Sequence, residues 1–116
     1  MDAVQAAYMS AVDRLGAVTL VEFREACSHC EVHPVTVRGN IAGAVIVKGA
    51  EVHACILPWA HKRWFGRAQA RILNGIIQQY GYATTSATTK AGREFVERLG
   101  FKLTPKGYRK DVIYGH

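Results

Sequence analysis

No stretch of this sequence approaches the roughly 18 consecutive apolar residues that a membrane-spanning helix needs. The start, MDAVQAAYMS, lacks a basic segment followed by an apolar run, so a secretory leader is not expected. Cysteine is scarce. Cys27, Cys30 and Cys55 are three, an odd number that cannot all pair within the chain, and a reducing, cytoplasmic compartment is expected. Repeats, linkers and low-complexity tracts are missing, which leaves no seam for dividing 116 residues into two domains. That length also excludes elaborate two-domain enzymes and most cofactor folds built from two half-domains. The most telling shortage is of acids. Nine Asp and Glu stand against 15 Lys and Arg, a formal charge of +6. Between Glu51 and Glu94 there is no acidic residue, while Lys62, Arg63, Arg67, Arg71, Lys90 and Arg93 all fall there. Such a stretch is either solvated positive surface or a site for an anionic partner: nucleic acid, a phosphorylated cofactor or an acidic protein.

What is present is enough apolar material for one core, 49% of the residues, which excludes disorder. Val4, Ala7, Tyr8, Ala11, Val12 and Leu15 recur at helical spacing over 3–15, ended by Gly16. Thr19 and Glu22 form a capping box before a short helix whose Leu20, Phe23, Ala26 and Cys27 share a face. The period then changes. Val32 to Arg38, Ile41 to Val47 and Val52 to Trp59 read as strands of an antiparallel meander, with Pro58 closing the third. A basic, aromatic loop, WAHKRWFGR, leads into the longest helix. Its buried stripe is Ala68, Ile72, Leu73, Ile76, Ile77 and Tyr80; Arg67, Arg71, Asn74 and Gln78 face outward. Tyr82 to Thr89 reads as a strand and Lys90 to Leu99 as a helix with Ala91, Phe95, Val96 and Leu99 inward. Phe101 to Leu103 and Tyr108 to Tyr114 read as two last strands around a Pro105–Gly107 turn. The expected class is α/β (α+β): a single domain over 1–116, with two helices in 1–31 and a mixed sheet in 32–116. The long helix crosses between two strands, which makes them parallel neighbours and sets its N-terminus beside the end of the first.

That N-terminus offers free backbone N–H groups and a positive dipole end. Gly66 lets a ligand approach the backbone, Arg63 and Arg67 stand on either side, and a phosphate or pyrophosphate is the natural occupant. The endings that define a P-loop or a dinucleotide fingerprint are absent.

These residues resemble a known pattern. The segment from about Val32 to Tyr114 is similar to the GCN5-related N-acetyltransferases, the acyl-CoA transferase fold. That family carries Arg/Gln-x-x-Gly-x-Gly/Ala between a strand and the following helix, and Arg63-Trp64-Phe65-Gly66-Arg67-Ala68 matches it. The family's later Tyr-x-x-x-Gly-Phe is approached by Phe95-Val96-Glu97-Arg98-Leu99-Gly100-Phe101. The resemblance implies a central sheet with a V-shaped splay, here truncated at the N-terminus, and an acyl-CoA-binding core over 32–116. It implies acetyl-CoA as substrate and an amine as acceptor. Arg63, Trp64, Phe65, Gly66, Arg67 and Ala68 would cradle the pyrophosphate, and the backbone of Cys55, Ile56 and Leu57 would contact pantetheine. Glu51 lies where the family often places its base, and His53 shares its strand face. The match departs from the pattern at the acid: the family's thiolate-protonating Tyr corresponds to Val96, and an Asn often found seven residues earlier corresponds to Thr89. Small degenerate members encoded by tailed phages, some carried in the virion, look like relatives, which would make the protein cytoplasmic or virion-associated.

Other readings compete. A non-catalytic descendant of that fold could keep a structural or partner-binding role, with the first 31 residues as an assembly surface or a homo-oligomer contact. Trp59, Trp64 and Phe65 amid His61, Lys62, Arg63 and Arg67 could stack bases and hold phosphates, or seat a protein partner. Cys27, His29, Cys30 and His33 crowd together, but no second pair has zinc-finger spacing, and no metal is expected. Cys27-x-x-Cys30 follows a helix, where a thioredoxin-like pair would precede one.

Overall fold

A computed structural model describes residues 1–113. Two helices open the chain, α1 (Ala3–Leu15) and α2 (Leu20–Cys27), followed by the strands β1 (Glu31–Val37), β2 (Asn40–Lys48) and β3 (Glu51–Ile56). After a loop come α3 (Arg67–Tyr80), β4 (Tyr82–Thr85), α4 (Lys90–Arg98), β5 (Lys102–Thr104) and β6 (Gly107–Asp111). The strands form one mixed six-stranded sheet in the order β1-β2-β3-β4-β6-β5. The α/β character, the meander and the parallel crossover through α3 all agree with the sequence.

The local signals act as their chemistry requires. The Asp2 carboxylate accepts from the Gln5 N–H at 2.8 Å and starts α1. Thr19 and Glu22 exchange both bonds of a capping box and start α2. Gly81, at φ +84, ends α3 in the left-handed region that glycine favours.

Each face of the sheet has its own cover. On one face α1 lays the small side chains of Ala3 and Ala7 close against Ala44 and Ile46, with Cys27 and Cys55 beside them. On the other, Leu73, Ile76 and Ile77 of α3 pack on Val35, Val45, Val47, Ile56, Ala83 and Tyr108. Burying each large aliphatic side chain contributes about 1.5–3 kcal/mol. β2 lies between the two layers and is buried from Ala42 through Val47. It carries a bulge: Val35 opposes Gly43 and Thr36 opposes Ile41, which leaves Ala42 unpaired against β1. Gly43 sits at φ +147, and a Cβ there would lie 2.0 Å from the Cys55 carbonyl oxygen, so only glycine fits.

Several boundaries differ from the pattern-based expectation. The third strand stops at Ile56, because Pro58 has no N–H and opens a 3-10 turn, Pro58–Ala60, instead. β4 ends at Thr85, since the chain must reach an extended Thr89 whose hydroxyl caps α4. The last strand closes at Asp111; Tyr114 lies outside the described residues. Ala68 and Tyr80, the two ends of the α3 stripe, are exposed, as are Ala26 and Ala91.

Candidate functional site

The sheet has one weak seam. Strands β3 and β4 are parallel, yet their register is a single position, Glu51 opposite Thr84, supported by the Thr84 N–H donating to the Ala50 carbonyl at 2.8 Å. Every other neighbouring pair is antiparallel, with a ladder of at least three positions. Beyond Glu51, β3 runs on to Ile56 while β4 has one residue left. Backbone groups alternate in direction along a strand. The Leu57 N–H donates to Ala42 of β2 at 2.8 Å, so Cys55 and Leu57 turn their amides toward β2. Those of Val52, Ala54 and Ile56 turn toward the opening. Of the three residues implied to contact pantetheine by backbone, only Ile56 faces the gap. Its carbonyl already has a partner: the His61 ring donates to it from Nε2 at 2.8 Å. A carbonyl can only accept, so this bond requires the proton on Nε2.

At the wide end of the opening stands the start of α3. Gly66 is extended, and its N–H donates to the Gln69 side-chain oxygen at 2.9 Å. Glycine has no side chain to return a capping bond. The first helical acceptor bond is Ala70 N–H to the Gly66 carbonyl, 3.0 Å. The N–H groups of Arg67, Ala68 and Gln69 are therefore uncapped, with the positive end of the helix behind them. A Cβ on Gly66 would meet only the Gln69 oxygen at 3.6 Å, so the space above the backbone is open. Arg63 and Arg67 are exposed, and among the described residues neither forms an ion pair. This part of the six-residue segment suits a doubly charged anion.

Trp64 and Phe65 do something else. Their rings meet edge-on at 5.4 Å, and Phe95 of α4 completes a three-ring cluster at 5.5 Å from Trp64 and 5.7 Å from Phe65. Trp64 also packs against the core. The two aromatics thus tie the loop to α4, while Gly66 and Ala68 stay with the helix start. The sequence placed Phe95 on an inward helical stripe, and no periodicity could show that the ring would reach across to the loop.

At the narrow end, Glu51 and His53 lie side by side on the α1/α2 face, Oε2 to Nε2 3.4 Å, both about half exposed. Glu51 is the register residue itself, so this pair marks the point where the strands part. Thr84, opposite Glu51, is a neighbour that no local sequence pattern singles out. Val96, in place of the expected tyrosine, packs half-buried against the core.

The cysteines take no part. Burial, chiefly, raises the Cys27 and Cys55 thiols above their ordinary value, so both are protonated at neutral pH and poor nucleophiles or ligands. Among the described residues no three His, Cys, Asp or Glu side chains are grouped to hold a metal, and no helix is long and apolar enough to cross a membrane.

Comparison with known proteins returns nothing similar: no family model, no curated protein and no solved structure matches this chain.

Proposed function

We propose that this protein is an acyl-CoA-dependent N-acyltransferase that moves an acetyl group from acetyl-CoA to an amine. The observation that carries the reading is the seam: a parallel strand pair, joined at a single position, opening toward an uncapped helix N-terminus flanked by the exposed Arg63 and Arg67. The sequence resemblance calls for an opening between parallel strands beside a helix start that can take an anion, and the seam supports that reading.

The residues divide the work by position. The N–H groups of Arg67, Ala68 and Gln69 hold the pyrophosphate, with Arg63 and Arg67 screening its charge. The edge of β3 at Ile56 offers backbone groups to the pantetheine arm once His61 withdraws. Glu51, steadied by His53, accepts the proton that the attacking amine sheds. The thioester supplies an activated carbonyl: the amine nitrogen bonds to its carbon, and the carbon–sulfur bond breaks to release a thiolate. A thiol's ordinary pKa is about 8.5, so that thiolate leaves without an acid far more readily than an alkoxide would. The Val96 substitution therefore slows the reaction rather than forbidding it.

One observation favours a second reading, a descendant of the same fold that gave up the reaction for a structural or partner-binding role. The Ile56 carbonyl is capped from within the chain, and the three-ring cluster ties the loop to α4. Thermal denaturation with CoA separates the two. The enzyme reading expects acetyl-CoA to raise the Tm of the wild type, an Arg63→Glu/Arg67→Glu double variant to lose the shift, and amines to release free thiol. A shift without thiol release supports the non-catalytic descendant. No shift at millimolar acetyl-CoA removes the enzyme reading.

A further inference from the structure

Beside the α3 start, on the side toward α4, lies a groove of about 470 Å3 lined by His61, Lys62, Phe65, Phe95 and Arg98. Two of its walls are phenyl rings held at 5.7 Å and tilted 74° to each other. Its rim carries two cations, and among the described residues neither Lys62 nor Arg98 makes an ion pair. The two acids of α4 are engaged elsewhere: Glu94 lies 4.0 Å from Lys90, and Glu97 accepts from the Tyr108 hydroxyl.

The positive surface continues out of the groove. Arg63 follows Lys62, and Arg67 and Arg71 stand one helical turn apart on the exposed face of α3. Lys62, Arg63, Arg67 and Arg71, all from the acid-free stretch, are exposed. Trp59, in the preceding 3-10 turn, leaves 51% of its surface exposed.

We infer that this surface binds single-stranded nucleic acid, a function beyond the proposed acyl transfer. Flat rings interleaved with unpaired cations suit a flexible strand, whose unpaired bases stack on aromatic faces while its phosphates follow the cations. A duplex hides its base faces and would use only the charges. An acidic peptide would likewise use the charges and leave the phenyl faces without a partner. Phe95 and Arg98 sit three apart on α4, so one residue addresses a base and the other the adjoining phosphate.

The test is fluorescence anisotropy with a labelled oligothymidylate and the full chain. Binding should weaken with salt along a log–log slope of about −2 to −3, the value for three or four phosphates on a single strand. Lys62→Glu/Arg98→Glu should weaken binding about tenfold or more. Lys48→Glu/Lys102→Glu makes the same change in net charge in the cross-strand row of Glu51, away from the groove, and should leave affinity within about twofold. Phe95→Leu, which keeps an apolar side chain but removes the π-face, should cost about fivefold or more while circular dichroism stays native. Equal losses from the two charge pairs would reduce the effect to net charge and overturn the site. Duplex of the same length bound as tightly as the single strand, or an unaffected Phe95→Leu variant, would overturn the stacking role and with it the single-strand assignment. No binding at low salt overturns the proposal outright.

Discussion

The two halves of the sheet are built differently. Strands β1, β2 and β3 form ladders of six and seven positions, covered by α1 and α2 on one side and α3 on the other. Strands β4, β6 and β5 are short, with ladders of three and four. Their residues on the α1/α2 side, Tyr82, Thr84, Arg109 and Asp111, lie open to solvent or only partly covered. Arg109 lies 4.0 Å over the Tyr82 ring and pairs with Asp111 at 2.9 Å, so this face is organised by polar contacts rather than by a covering helix. Strand pairing joins the well-sealed half to the thin half at Glu51 and Thr84 alone, while α3 packs across both. The candidate catalytic groups and the open start of α3 both border that seam, where β3 runs on beyond Glu51 without a strand partner on the β4 side. Full pairing there would satisfy the backbone groups of β3 and leave nothing to bind.

The largest effect should come from striking the sealed half at its tightest point. Gly43→Ala would drive a Cβ to 2.0 Å from the Cys55 carbonyl oxygen at a backbone angle that L-residues avoid. The expected loss is about 4 kcal/mol or more, read as a collapse of the urea midpoint. Strands β4 and β6 share one core with α3 and the first three strands, so both halves should unfold in one transition. If far-UV circular dichroism and the aromatic signal of Trp64 separated into two transitions, the halves would be independent units and the comparison would fail.

A matched pair of cap deletions sharpens the contrast. Thr19 caps α2 in the sealed half, and Thr89 caps α4 in the thin half, its hydroxyl accepting from the Gly92 N–H at 3.0 Å. Each change to Ala should cost about 1 kcal/mol. They should differ in reach. Helix α4 buries no residue fully, so Thr89→Ala should raise hydrogen exchange along all of α4 and loosen the Phe95 cluster. Thr19→Ala should affect the first turn of α2 and little else. Equal spread of exchange in both variants would show the thin half to be as firmly held as the other.

Much of this organisation could be read from the chain. The six segments that became strands were all visible, because apolar alternation and glycine or proline boundaries are local. The open helix start was visible too, since it needs only a strand, a glycine and a helix in sequence. What could not be read were contacts made where the chain turns back on itself or brings distant segments together. His61 looked like one more basic group of a loop, yet it caps Ile56, because a 3-10 turn after Pro58 folds the chain back on its own strand. Phe95 looked like core, and it spans to Phe65. Arg98 stood out only as a letter of the Phe95–Phe101 motif, and it shares a groove with Lys62. The single-position seam was equally hidden: a crossover dictates that β3 and β4 are parallel neighbours, but not where they stop touching.

The smallest effect should come from Tyr108, which joins β6 to α4 in the thin half. Its ring is buried and its hydroxyl donates to Glu97 at 3.2 Å. Burial, first, and then the bond to Glu97 and its charge hold the hydroxyl above the ordinary tyrosine value of 10.0. The sign follows from linkage. Below 10.0 both folded and unfolded chains keep the proton, and the contribution to stability is full. As the pH rises past that value the unfolded chain ionises first, and the advantage drains away through the higher folded-state pKa. Wild type should therefore lose Tm on the alkaline side of 10.0. Tyr108→Phe should start from a slightly lower Tm at neutral pH and lose less from there upward. Identical slopes in wild type and Tyr108→Phe would mean that the β6–α4 contact opens before the hydroxyl titrates, and that the thin half is looser still.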